Sequence, residues 1–136
     1  MKRLISILLC FVLIFSCFGI VAFASDGSDI ALCNNNVMIT DTLFYISSSG
    51  KAEISVSYYG YTGITTGGRI TTVLEKKVNG EWSEINRWVE NPTTDTFLEV
   101  YEPQLTKGTY QITVEYVISG TGGPDDVITE VMTDTY

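Results

Sequence analysis

The chain has 136 residues, room for one domain, and its 16 acidic residues outnumber its 8 basic ones for a net charge of −8. That sign repels phosphate backbones and anionic bilayers, so nucleic acid is not expected as a partner. Histidine is absent, which removes Ser–His–Asp and Cys–His catalysis, imidazole-based zinc sites and the usual physiological-pH switch.

Residues 1–24 read as a secretory signal peptide. Lys2 and Arg3 open it, an almost unbroken apolar run follows from Leu4 to Ile20, and Ala22-Phe23-Ala24 places small residues at a cleavage site. Polar Ser25-Asp26-Gly27-Ser28-Asp29 comes at once after it, which favours cleavage over a retained anchor. A lipobox ending at Cys17 fits less well because Phe15 is bulky. The expectation is a freely secreted, extracellular protein with no stable membrane anchor. Cleavage also removes Cys10 and Cys17, leaving Cys33 alone, so the domain has to stand on its core without a disulfide. Cys33 reads as a small apolar residue in Ala31-Leu32-Cys33, with an intermolecular disulfide as the alternative.

Residues 25–36 are polar and read as an N-terminal arm, and 37–136 read as the folded domain. From Val37 onward the pattern has a period of two. Ala52, Ile54, Val56 and Tyr58 alternate with Glu53, Ser55, Ser57 and Tyr59, which predicts a half-buried strand. Residues 69–78 and 81–89 flank Asn79-Gly80, the strongest two-residue hairpin signal, since both turn positions need positive φ. Asn91-Pro92 breaks the chain, and Thr96–Tyr101 forms a strand that Glu102-Pro103 ends. In Thr109–Ser119 the residues Tyr110, Ile112, Val114, Tyr116 and Ile118 share one face. Gly120–Asp125 is a loop, and Val127–Thr135 is the last strand. No window carries a helical stripe. The expected fold is all-β, an antiparallel immunoglobulin-like β-sandwich of about seven strands. Tyr110, just after Lys107-Gly108, stands where such domains place a tyrosine that bonds back to the backbone.

Leu74-Glu75, Asn79-Gly80-Glu81-Trp82, Trp88 and Lys107-Gly108-Thr109-Tyr110 together resemble an uncharacterised family of small secreted β-sandwich proteins of Gram-positive bacteria. The resemblance covers residues 45–136 and the signal architecture. It implies secretion and a sandwich, and it supplies no catalytic residues.

Three kinds of chemistry remain. Carboxylate pairs, drawn from Asp125, Asp126 and Glu130 or from Glu81 and Glu84, would serve a hydrolase, but a small sandwich leaves little room for a cleft. Calcium takes oxygen ligands, and Asp125 and Asp126 with the Gly120–Pro124 carbonyls are the candidate set, with Asp26, Asp29 and Asn34–Asn36 as another. Neither set has EF-hand spacing. No other cofactor is expected. Exposed aromatics are the third route: Tyr58, Tyr59 and Tyr61 run into the glycine-rich stretch Gly63 to Gly68. Trp82 and Trp88 lie six residues apart, so on a regular strand they point the same way, either into the core or onto a surface that could stack on sugar rings. Glu84 and Asn86 between them conflict with that face being core. The expected function is a non-enzymatic recognition or adhesion module for an extracellular glycan or protein. The alternative is a self-assembling matrix component, which a long unpaired edge strand would favour.

Overall fold

Strands rich in valine, isoleucine, threonine and tyrosine account for all the regular structure in the computed structural model, which describes residues 34–136. They are β1 (Val37–Ile46), β2 (Ala52–Gly60), β3 (Thr65–Val78), β4 (Glu81–Glu90), β5 (Thr96–Tyr101), β6 (Thr109–Gly120) and β7 (Asp126–Thr135). All pair antiparallel, in a three-stranded sheet of order β1-β2-β5 and a four-stranded sheet of order β4-β3-β6-β7. The signal segment, Cys33 and the acids Asp26 and Asp29 lie outside the described residues.

The two central strands of the core carry the clearest alternation. Ala52, Ile54, Val56 and Tyr58 on β2 are fully buried, as are Ile112, Val114, Tyr116 and Ile118 on β6. With Ile70 and Leu74 of β3 they form one hydrophobic core shared by the two sheets. Three buried tyrosines bring their hydroxyls to backbone carbonyls: Tyr58 donates to Thr94 at 2.6 Å, Tyr110 to Thr106 at 2.6 Å and Tyr116 to Asp41 at 3.2 Å. Each ring thus fills core volume while its polar tip is satisfied. The Tyr110 bond, four residues back along the chain, is the one its place after Lys107-Gly108 predicts.

The hairpin forms as predicted. Asn79 sits at φ 55° and Gly80 at φ 93°, the two positive values that a tight turn between right-twisted strands demands. β3 begins earlier than expected, at Thr65, because Gly67 and Gly68 belong to the strand. The chain between β4 and β5 lies against them: Gly68 N–H donates to the Pro92 carbonyl at 2.9 Å, and a β-carbon on Gly67 would stand 2.3 Å from that same oxygen. These glycines serve close backbone approach and do not line an open loop.

The segment 34–36, expected to belong to a polar arm, is held in place. Asn36 is fully buried. Its side chain donates to the Pro124 carbonyl at 2.8 Å and to the Ile118 carbonyl at 3.3 Å, and it accepts from Gly122 N–H at 3.1 Å. Its own carbonyl accepts from the Thr65 hydroxyl.

Candidate functional site

The predicted aromatic surface does not assemble. Tyr58 belongs to the core and is fully buried. Tyr61 opens the turn before β3, where its carbonyl accepts from Ile64 and Thr65 N–H at 2.9 Å each. The two tryptophans face opposite ways. The β3–β4 register shifts between Leu74 and Glu75, which pair with Asn86 and Glu84, so Ile85 is an extra, bulged residue. The bulge turns a spacing of six into the equivalent of an odd one. Trp88 pairs with buried Thr72 and stacks on Tyr101 at 4.5 Å between ring centroids, whereas Trp82 pairs with Lys77 on the outer surface, with the Lys77 ammonium 5.4 Å from its ring. The same bulge accounts for Glu84 and Asn86 lying between them: Glu84 is outward, on the Trp82 side, in a two-point ion pair with Arg87 at 3.0 and 2.5 Å.

Of the two aspartates named for calcium, Asp126 is committed elsewhere. Asp126 accepts backbone N–H groups from Asn35 at 2.8 Å, Asn36 at 2.7 Å and Val37 at 2.9 Å. A carboxylate ringed by three donors offers its lone pairs to N–H dipoles, an environment that repels a cation. The Pro124 carbonyl is taken by Asn36, and Asp125 is exposed beside it. Among the described residues no group of three or more Cys, Asp or Glu side chains is placed to hold a metal ion. The carboxylates considered for hydrolysis are spread in the same way. Asp126 clamps the backbone, Glu130 accepts from the Thr40 hydroxyl at 2.6 Å, and Glu84 is paired with Arg87.

Tyr59 alone of the five aromatics lies on a surface with a ligand's dimensions, and the rest of that surface escaped the sequence reading. It is the outer face of the β1-β2-β5 sheet. Pairing sets it out in rows: Ile39, Tyr59 and Thr96; Asp41, Ser57 and Leu98; Leu43, Ser55 and Val100; Tyr45 and Glu53. Large apolar side chains stand exposed along both outer strands, with Leu98 64%, Ile39 57% and Leu43 45% accessible. The middle strand carries serines instead, and Ser57 is only 7% accessible although it faces outward. Its hydroxyl is turned down onto the Asp41 carbonyl at 3.4 Å. The face is therefore a shallow trough with apolar walls on β1 and β5 and a floor that is small at Ser55 and Ser57, bounded along β2 by exposed Tyr59 and Glu53. Hollows lie at its two ends, one of about 220 Å³ against Tyr59, Thr96 and Leu98, the other of about 100 Å³ between Tyr45, Lys51, Glu53 and Glu102. A single exposed leucine means little on a protein surface, but Ile39, Leu43, Leu98 and Val100 gathered on one sheet face with Tyr45 and Tyr59 form a candidate interaction surface.

The sequence signal for this face is present but masked. In Thr96–Tyr101 each alternating set, Thr96, Leu98 and Val100 or Phe97, Glu99 and Tyr101, holds two large apolar or aromatic residues and one polar one, so periodicity shows no preferred face, and the pairing partners are needed to see which side each residue takes. No protein-family model matches the chain, and no curated protein or solved structure matches it.

Proposed function

We propose that the chain is a non-enzymatic extracellular recognition module and that it binds its ligand through the outer face of the β1-β2-β5 sheet. The fold that carries it is read as an immunoglobulin-like sandwich, supported by seven antiparallel strands in a three-plus-four arrangement and by the Tyr110 corner bond. Export rests on the signal sequence at residues 1–24.

The observation that supports recognition is the exposed apolar trough itself. Apolar side chains gathered on one face cost solubility, and such patches mark interaction surfaces. The strand edges point the same way. β4 is interrupted by the Ile85 bulge, β5 is short and holds exposed Glu99 on its inner side, and β1 has its first and last backbone N–H groups, of Val37 and Ile46, capped by Asp126 and Asp134 of β7. Bulges, short edges and inward charges are devices against edge-to-edge pairing, so at β4 and β5 a partner strand is disfavoured relative to contact with the sheet face. The test is a binding array of extracellular glycans, cell-wall fractions and extracellular proteins, probed with the native protein and with Leu98→Glu. Recognition through this face is expected to give at least one ligand that the variant loses. Ligands retained in full by the variant would place binding elsewhere.

A further inference from the structure

Resting on that reading of the outer face, we propose that the trough seats an amphipathic helix of a partner protein, apolar on one side and flanked by lysine or arginine. Four observations converge on a helix. The first is width. β1 and β5 are separated by β2, so the apolar walls stand about 10 Å apart, close to the diameter of a helix with its side chains. The second is length. From the Ile39–Tyr59–Thr96 row to the Leu43–Ser55–Val100 row, where both walls are present, is four residues of strand. That is about 13 Å, the rise of about 9 helical residues, or between two and three turns.

The third is backbone chemistry. β2 is hydrogen-bonded on both sides, to β1 and to β5, so the trough floor offers no free ladder. An extended peptide laid along it would leave its own amides without partners, whereas a helix satisfies them internally and needs only apolar contact below. The relief suits this. Small Ser55 and Ser57 admit the row of side chains that a helix projects every three or four residues, and Leu43, Leu98 and Val100 flank that row.

The fourth is charge. Asp41 and Glu53 lie on the face, and Glu102 lies at its end. Lys51, the base beside them, is already paired with Glu102 at 2.7 Å. The remaining described bases are on other elements: Arg69, Lys76, Lys77 and Arg87 on β3 and β4, and Lys107 before β6. The surround of the trough is thus anionic, and a partner with cationic flanks is both steered to it and favoured over an anionic one. A glycan fits less well. Tyr45 and Tyr59 stand at opposite ends of the trough, too far apart to sandwich one sugar ring, and the Ser57 hydroxyl is engaged by the Asp41 carbonyl.

The experiment titrates the purified protein with a synthetic helical peptide of about three turns, leucine on one side and lysine on the other. Two controls share its length: one with glutamate replacing lysine, and one with the leucine–lysine order scrambled so that no apolar side forms. The leucine–lysine helix is expected to bind, and both controls to bind at least about tenfold more weakly. Leu98→Glu is the informative variant, because it adds negative charge while spoiling the apolar wall. Seating in the trough predicts a loss of about tenfold or more, as at a central apolar contact. Simple charge attraction predicts equal or tighter binding, and that result would overturn the proposal. Val127→Glu places the same charge on an equally exposed valine of the other sheet and is expected to leave binding unchanged. Equal binding of the glutamate helix, or self-association of the protein that Leu98→Glu abolishes, would also overturn it, the latter by making a second copy the occupant. The two readings fail separately. A glycan bound by the native protein and lost in Leu98→Glu keeps the recognition face and refutes the helix, whereas ligands indifferent to Leu98→Glu refute the face itself.

Discussion

The two flanks where the sheets meet are closed by different chemistry. On one flank β7 sends Asp126, Glu130 and Asp134 across to β1, where they accept from the backbone of Asn35, Asn36 and Val37, from the Thr40 hydroxyl and from Ile46 N–H at 2.7 Å. Ile128 and Met132, between them on the same side of the strand, pack on the core. On the other flank β4 and β5 meet through the Trp88–Tyr101 stack and a 3.4 Å hydrogen bond from the Tyr101 hydroxyl to Glu90. Directional bonds to backbone donors fix register and admit no substitute, while stacked rings contribute mostly area and tolerate a change of shape. One flank should therefore respond to the loss of single atoms and the other to the loss of volume.

The largest expected effect breaks the carboxylate flank. Asp126→Asn replaces one accepting oxygen with an amine that faces backbone donors, and it should cost about 3 kcal/mol or more, since charged hydrogen bonds are lost and buried donors orphaned. In a domain of this size that lowers the melting temperature by roughly 10–20 °C in a thermal scan. Asp134→Asn, which serves one N–H, should cost about half as much. Trp88→Ala on the aromatic flank should cost about 2 kcal/mol, below a fully buried tryptophan because the ring is half-exposed, and Trp88→Phe less than 1 kcal/mol at about the scale of a conservative swap. A Trp88→Phe loss as large as that of Asp126→Asn would reverse the contrast.

Alkali probes both flanks at once. Burial, the leading cause, raises the Tyr116 phenol to about 12, and its hydroxyl meets Thr42 on β1 at 2.6 Å. On the other flank, burial and the neighbouring Glu90 raise Tyr101 as well. A phenol whose folded value lies above its unfolded one contributes stability that is complete below the unfolded value near 10 and is lost as pH rises through about 12. Titrating phenolate absorbance beside tryptophan fluorescence should show the two changing together in that window. Ionisation of Tyr116 without unfolding would show that the β1 flank yields locally.

The smallest effects lie off both flanks. Gly80→Val and Gly63→Val should each cost about 1 kcal/mol in thermal melts, because both glycines have positive φ and open space around them, so backbone strain alone sets the loss. Leu98→Glu, on the exposed trough, should change stability by less than about 0.5 kcal/mol.

Legibility followed the locality of the signal. The core faces of β2 and β6 and the Asn79-Gly80 turn are written in consecutive residues, and period and turn chemistry suffice to find them. The Ile85 bulge has no side-chain signature: it is a backbone choice, and it reversed the relation of Trp82 to Trp88. Asp126 looked like an acidic turn residue because its partners are 89 to 91 positions away in the chain. The trough was hidden because neighbouring strands, and not neighbours in sequence, supply its walls.

The reach of Asp126 also dictates an order of events in folding. The backbone N–H groups of Asn36 and Val37 find their acceptor only on the last strand, so during synthesis these donors stay unpaired until β7 has emerged. Pairings of β1 with β2 and of β3 with β4 are local and can form early, but the clamp closes a loop of nearly the whole domain and so comes at a high entropic cost. The clamp at the leading end of the domain would thus close only once β7 has formed, whatever the order in which the hairpins assemble.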